Sequence, residues 1–272
     1  MNNAPIGVFD SGIGGLTVVK ELIRHLPHES LVYFGDTARV PYGSKSIETI
    51  RRYALESAQF LISHRVKSLV VACNSSTAAG LDHIQDKFKV PVVGVIEPGA
   101  QSAVAITKNN RVGVIGTKAT IRSEAYPNVI KRLNDSITVF SAPCPLFVPL
   151  VEEGWLTGPI TESVIRAYLT PLLTQRIDTL VLGCTHYPLL KKSITAVVGT
   201  EIKLVDSGTA TAAAVKTILA ETGLAAAATH QPEYQFFVSD MVADFERIGK
   251  MFLGPQLSKA IKISLSEYTE KN

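Results

Sequence analysis

Three observations predict an α/β fold of two doubly wound parallel-sheet domains, related by pseudo-twofold symmetry, with the functional site in the cleft between them. Leu69-Val70-Val71-Ala72-Cys73-Asn74-Ser75-Ser76-Thr77 is an aliphatic run that ends in a cysteine and small polar side chains, and Leu180-Val181-Leu182-Gly183-Cys184-Thr185-His186-Tyr187-Pro188 repeats the pattern. Each reads as a buried strand bounded by a polar turn that opens a helix, which delivers a thiol to the C-terminal end of a parallel strand, where open sheets place their ligands. Short apolar runs alternate with amphipathic stretches along most of the chain, the mark of a parallel sheet. The two cysteines lie 111 positions apart and two strand glycines, Gly7 and Gly113, lie 106 apart, so the halves read as duplicates.

The elements follow in order. Ile6-Gly7-Val8-Phe9 is a short strand that runs into the turn Asp10-Ser11-Gly12-Ile13-Gly14-Gly15. Leu16, Val19, Leu22, Ile23 and Leu26 recur at helical spacing, with Pro27 just past the end. Leu31-Val32-Tyr33-Phe34 is the next strand, and a loop with two breakers, Pro41 and Gly43, follows it. Ile47, Ile50, Ala54, Ala58 and Leu61 mark a second helix; the Cys73 strand, a helix over 77–87 and the strand Val90-Pro91-Val92-Val93-Gly94-Val95 close the first block. After Glu97-Pro98-Gly99 the pattern restarts with Arg111-Val112-Gly113-Val114-Ile115-Gly116. A helix over 118–133, a strand at 137–141, a helix over 160–174, the Cys184 strand and Leu204-Val205-Asp206-Ser207-Gly208 complete the second block. Its Asp206-Ser207-Gly208 echoes Asp10-Ser11-Gly12. The remainder, with a helix over 209–224, a strand at Tyr234–Val238, a helix over 241–252 and a strand near 261–264, is too short for a domain and is expected to pack on the first block. The predicted domains are therefore 1–97 with 208–272, and 98–207.

Bulk properties narrow the function classes. At 272 residues and 46% hydrophobic content the chain can bury a large core. A net charge of +3 from scattered Lys and Arg provides neither a nucleic-acid stripe nor a polybasic membrane segment. No apolar run approaches a bilayer span, and Met1-Asn2-Asn3-Ala4-Pro5 lacks the basic region of a signal peptide. Three cysteines, a small odd number, suit a reducing compartment, so a cytoplasmic protein is expected.

A cysteine at a strand end is most often a small hydrophobe; two of them, each before Asn74 or Thr185 at an expected helix start, shift the balance. A helix N-terminus lowers a thiol's pKa from its reference of about 8.5, which suits proton transfer at carbon. Cys144, between Pro143 and Pro145, lacks that context and reads as structural. Asp10 is either a helix N-cap or the group that orients the proton on Cys73. The adjacent glycines do not complete a dinucleotide fingerprint, because Thr17 stands where its third glycine would be. His186 can tune the Cys184 thiol. Cys73, Cys184 and His186 form an alternative zinc set, although their spacing matches no common zinc signature. Pro41-Tyr42-Gly43 is either an ordinary turn or a loop whose backbone amides line the site, and Asn74, Ser75, Thr117, Thr120 and Thr185 supply neutral donors suited to carboxylate oxygens. Glu152 is either a solvated face or a partner of His186.

Several of these segments together resemble the cofactor-independent glutamate racemases of the Asp/Glu racemase family: Val8-Phe9-Asp10-Ser11-Gly12-Ile13-Gly14-Gly15, Pro41-Tyr42-Gly43, Ala72-Cys73-Asn74, Cys144-Pro145-Leu146-Phe147-Val148-Pro149-Leu150-Val151-Glu152 and Gly183-Cys184-Thr185-His186-Tyr187-Pro188. The resemblance runs essentially end to end. It implies an enzyme that interconverts L- and D-glutamate for peptidoglycan synthesis, without cofactor or metal. Cys73 and Cys184 would be the two acid/base thiols, Asp10 and His186 their assistants, and Glu152 the partner of His186. Asp10, Ser11, Pro41, Tyr42, Gly43, Asn74, Ser75, Thr185 and His186 would line the amino-acid pocket, and Thr117 and Thr120 look like the family's contacts to the side-chain carboxylate. The family usually carries Thr and then a small residue after Cys-Asn, where this chain has Ser75-Ser76. The expected partners are the small-molecule substrate and, in a homodimer, a second copy of the chain, with no membrane and no nucleic acid. Some members respond to a cell-wall precursor nucleotide through an N-terminal extension, which is not expected here. Gyrase binding, reported for some members, has no marker in the sequence. The alternatives are a racemase of aspartate or a related small amino acid, and a ligand- or gyrase-binding protein on the same fold.

Overall fold

Two parallel sheets carry the chain, whose computed structural model describes residues 1–257 and 259–266. The first block is β1 (Ile6–Asp10), α1 (Leu16–His25), β2 (Leu31–Gly35), α2 (Ile47–Ser63), β3 (Ser68–Val71), α3 (Asn74–Lys87), β4 (Val92–Gly94) and α4 (Ile96–Ile106). The second is β5 (Arg111–Gly116), α5 (Lys118–Arg122), α6 (Ala125–Leu133), β6 (Thr138–Pro143), α7 (Phe147–Glu152), α8 (Pro159–Leu173), β7 (Thr179–Gly183), α9 (Lys191–Val198), β8 (Lys203–Asp206) and α10 (Ser207–Glu221). β9 (Tyr234–Val238), α11 (Val242–Leu253) and β10 (Ala260–Lys262) follow.

The strand orders are β10-β9-β2-β1-β3-β4 and β6-β5-β7-β8. Four strands of the first sheet and all four of the second thus share one order, second-first-third-fourth, and every pairing is parallel. The duplication extends to packing. Gly7 pairs with Leu69 and Gly113 with Leu180. A Cβ on Gly7 would stand 3.0 Å from Leu69 and 3.1 Å from Val66; on Gly113 it would stand 3.0 Å from Leu180 and 2.6 Å from Ile177. The same two positions of each half close over the same strand glycine. The central strands β1, β3 and β7 are buried throughout, as strands covered by helices on both faces must be. One hydrophobic core runs through both sheets, from Val8 and Leu16 to Ile115 and Leu182, while α10 packs on both α1 and α4.

Several expectations need correction. The helix expected over 118–133 is two helices, because Ser123 accepts from Ala125 N–H at 3.3 Å and Glu124 takes the left-handed conformation (φ 54°). The helix expected over 77–87 starts earlier, at Asn74, which puts Asn74 and Ser75 in its first turn. Asp206-Ser207-Gly208 follows β8, whereas Asp10-Ser11-Gly12 follows β1, so the echo joins strands that the duplication does not relate. The last strand is Ala260–Lys262, and residues 267–272 lie outside the described residues. The tail joins the first sheet as expected: β9 pairs with β2, and β10 with β9. Among the described residues no helix is long and apolar enough to cross a membrane.

Candidate active site

The C-terminal ends of β1, β3, β5 and β7 converge on one small closed cavity of about 30 Å³. Its lining comprises Ser11, Pro41, Tyr42, Gly43, Cys73, Asn74 and Ser75 from the first block, and Thr117, Cys184, Thr185 and His186 from the second. That volume is room for about two waters. Asp10, Thr120 and Glu152 stand behind this lining, each bonded to a residue in it. Larger cavities, such as one of about 750 Å³ alongside Thr77, Gly94 and Gln101, contain neither thiol.

Close backbone approach brings the halves together. A Cβ on Gly14 would fall 2.3 Å from Thr185 Oγ1 and 2.5 Å from His186 Nδ1, and one on Gly43 would fall 2.4 Å from Thr117 Cβ. Gly14 after β1 and Gly43 after β2 therefore admit the opposite half of the molecule. Thr17 Oγ1 donates to Thr185 O at 3.0 Å and secures that seam.

Cys73 is almost fully buried and caps α3, and the adjoining Ala72 N–H bonds Phe9 O at 2.9 Å to hold the strand end beside β1. Asp10, at the end of β1, is fully buried; it accepts from Gly12 N–H at 3.1 Å and from Thr185 Oγ1 at 3.3 Å. Burial raises the Asp10 carboxyl against the pull of His186 and of these donors. Burial, and then the Asp10 charge, push the Cys73 thiol up to about 11, with the Ser76 and Ser11 hydroxyls pulling the other way. The lowered thiol expected from the helix terminus is overturned: in a closed site, desolvation exceeds the helix effect.

Cys184 has different support. A short 3₁₀ turn, Tyr187–Leu190, precedes α9, so Thr185 does not open an α-helix as expected. His186 Nδ1 lies 3.9 Å from Cys184 Sγ, and its Nε2 is 3.0 Å from Glu152 Oε1. Burial alone would lower the imidazole, but its bonds to Cys184 and Glu152 prevail and raise it to about 10. Cys144 is fully buried, and burial holds its thiol far above the ordinary range, in keeping with a structural role. Among the described residues no group of three or more His, Cys, Asp or Glu side chains is arranged to hold a metal ion, which leaves the zinc alternative without a ligand set.

The neutral donors form a bridge across the cleft. Ser75 Oγ lies 2.9 Å from Thr117 Oγ1 and 3.2 Å from Thr120 Oγ1, and the two threonines are 3.1 Å apart. Tyr126 OH, on α6, donates to Asn74 Oδ1 at 2.8 Å, while the buried Asn74 Nδ2 has no partner among the described residues. Sequence reasoning missed Val40 and Val148 in the lining, and the anchor of the Tyr42 loop. There the buried Asp36 accepts from Tyr42 OH, from Arg39 Nε at 2.6 Å and from Ser239 Oγ at 2.8 Å. The available signal was that Asp36 follows β2 much as Asp10 ends β1.

Residues 6–215 match the Asp/Glu/Hydantoin racemase family. A glutamate racemase of Geobacter metallireducens is 52% identical over 97% of this chain and 98% of its own length, and one of Syntrophus aciditrophicus is 50% identical over 96% and 97%. Among solved structures, the glutamate racemase isoform RacE1 of Bacillus anthracis superposes with a TM-score of 0.94 at 40% identity, covering 97% of this chain and 99% of that one. The Francisella tularensis glutamate racemase in complex with D-glutamate gives 0.92 at 43% identity, covering 98% and 100%. With paired thiols in one cavity and near full-length similarity of this order, the chain belongs to the Asp/Glu/Hydantoin racemase family and is an amino-acid racemase.

Proposed function

We propose that the chain interconverts L- and D-glutamate by two-thiol proton transfer at the α-carbon, in the cleft between units 1–97 with 208–272 and 98–207, and so supplies D-glutamate for peptidoglycan. The observation that carries this reading is a single cavity lined by Cys73 from one sheet and Cys184 from the other. Inversion at carbon needs a base on one face and an acid on the other, and a thiolate and a thiol meet that need interchangeably. The hydroxyls of Ser75, Thr117 and Thr120 and the free Asn74 amide supply uncharged donors for a substrate carboxylate. The Asp10 carboxylate offers a counter-charge for the ammonium group. That ammonium, held in a water-poor site, in turn favours the thiolate that burial alone opposes. On the second face, His186 as imidazolium stabilises the thiolate that Cys184 becomes when its thiol delivers a proton to the α-carbon, with Glu152 orienting the ring. The carbanion next to the carboxylate draws its stabilisation from preorganised donors and excluded water. A cavity of about 30 Å³ is too small for an amino acid, which supports an opening of the cleft in each cycle.

The test is incubation of L- and D-glutamate, separately, in heavy water without added cofactor. Racemisation of both enantiomers with deuterium at Cα is expected, and its loss in Cys73→Ala and in Cys184→Ala. Persistent racemisation in either variant would refute the two-thiol mechanism. A higher kcat/KM for aspartate than for glutamate would move the substrate to the shorter acid.

A further inference from the structure

Ser76 stands apart from its neighbours in the first turn of α3. Asn74 is bonded to Tyr126, Ser75 to the two threonines, and Thr77 Oγ1 donates to Val71 O at 3.0 Å. Ser76 Oγ is fully buried and has no hydrogen-bond partner among the described residues. Helical hydroxyls elsewhere in the chain return to the carbonyl one turn back, as Ser57 does to Tyr53 and Thr211 to Ser207. Ser76 makes no such bond. It is the third residue of a helix whose capping residue is Cys73, the position from which groups reach back to the cap. Its hydroxyl and its backbone N–H both favour the Cys73 thiolate against burial and the Asp10 charge.

We infer that Ser76 is a positioning residue for the proton transfer: its buried hydroxyl turns to the Cys73 sulfur and donates to the thiolate whenever Cys73 acts as the base. The inference rests on the reading of Cys73 as one of the two acid/base thiols. A buried hydroxyl is costly without a partner, and an ionised sulfur is a strong acceptor for it. As a thiol, Cys73 leaves that hydroxyl waiting; as a thiolate, it completes the bond. The residue therefore acts on the population of the reactive form, with no contact to the substrate required.

Alkylation of Cys73 by iodoacetamide in the otherwise native chain, followed by mass analysis of the Cys73 peptide at fixed mildly alkaline pH, reads that population. Losing a charge-assisted donor raises a thiol by about one pKa unit, or about tenfold fewer thiolates. Each remaining thiolate is about threefold more nucleophilic, because reactivity falls as pKa falls. Ser76→Ala should therefore slow Cys73 alkylation by about threefold. Removing an oxygen opens space, so an effect on access alone would raise the rate instead. Ser76→Thr and Ser76→Val, near-isosteres with and without the hydroxyl, settle the matter should the alanine variant fold poorly. The valine variant is expected to be slow and the threonine variant to match the parent, with the rising limb of the kcat/KM–pH profile displaced upward in Ser76→Ala and Ser76→Val only. Parental rates in both hydroxyl-free variants, or equal slowing in Ser76→Thr, would overturn the inference. Racemisation that survives Cys73→Ala would remove the underlying reading, and the inference with it, whatever the alkylation rates.

Discussion

Cys73 follows β3 as the cap of a 14-residue helix, with a buried carboxylate and two hydroxyls around it, whereas Cys184 follows β7 before a 3₁₀ turn, with an imidazole and a glutamate behind it. The strand order, the strand glycine and the residues that close over it are the same in both halves. What differs begins just beyond each thiol, where the residues are still buried but polar: Asn74 and Ser75 in one half, Thr185 and His186 in the other. A duplicated scaffold thus presents the same atom twice and surrounds it with opposite charge. The first thiol is held in its protonated form by burial and Asp10; the second faces a histidine raised to about 10. For a reaction whose two directions are mirror images, this is an asymmetric solution. On the proposed two-thiol mechanism, each half reaches proton-transfer competence by a different route.

The largest expected effects come from removing each half's own assistant. His186→Asn and Asp10→Asn should each lower kcat/KM by about 10²–10⁴-fold, the usual range for an acid/base partner. L- and D-glutamate are equal in free energy, so within either variant kcat/KM must fall equally in the two directions. The asymmetry appears in the substrate deuterium isotope effect. Losing Asp10, the proposed acceptor of the Cys73 proton, or His186, the proposed stabiliser of the Cys184 thiolate, makes abstraction from that face slower and more rate-limiting, so the effect should grow for one enantiomer in Asp10→Asn and for the other in His186→Asn. Growth for the same enantiomer in both variants would mean that the halves do not divide the work by face.

The pH profile sharpens the comparison. Below a pKa of about 11 the Cys73 thiolate fraction increases by about tenfold per unit, while His186 keeps its proton up to about 10. kcat/KM for the ligand-free enzyme should therefore rise between about pH 7 and 9. A profile flat through that range would place the base below 7 and restore the helix terminus as the dominant influence on Cys73.

That point also marks how far the sequence could be read. The strands that end in Cys73 and Cys184 were legible because buried parallel strands are continuous apolar runs, and the polar residues after them could only be strand-end groups. Asn74, Ser75, Thr185 and His186 follow directly, as does the tail's return to the first sheet. The direction of the Cys73 shift was not legible, because desolvation depends on the opposite half closing over the thiol through Gly14 and Gly43. Nor was the anchor of the Tyr42 loop, where Asp36 takes a hydroxyl from Ser239 some 200 positions away with no periodic trace. The break at Glu124 escaped for a local reason: a glutamate in the left-handed conformation carries no marker, and the serine that unseats the helix looks like any other polar residue.

The smallest effect tests the seam itself. Tyr126 belongs to the second block and Asn74 to the first, and their 2.8 Å bond leaves the Asn74 amide nitrogen as the free donor in the cleft. Tyr126→Phe removes the hydrogen bond that orients that amide without touching either thiol, and a neutral bond of this kind contributes about 1 kcal/mol. Both enantiomers should bind through the same donor, so KM is expected to rise about fivefold for each, with kcat nearly unchanged, as when an interaction common to ground and transition state is lost. The melting temperature should drop by only a few degrees. A selective fall in kcat would show instead that Asn74 must hold its orientation as the carbanion forms. That outcome would turn the bridge between the halves from a matter of affinity into part of the chemistry.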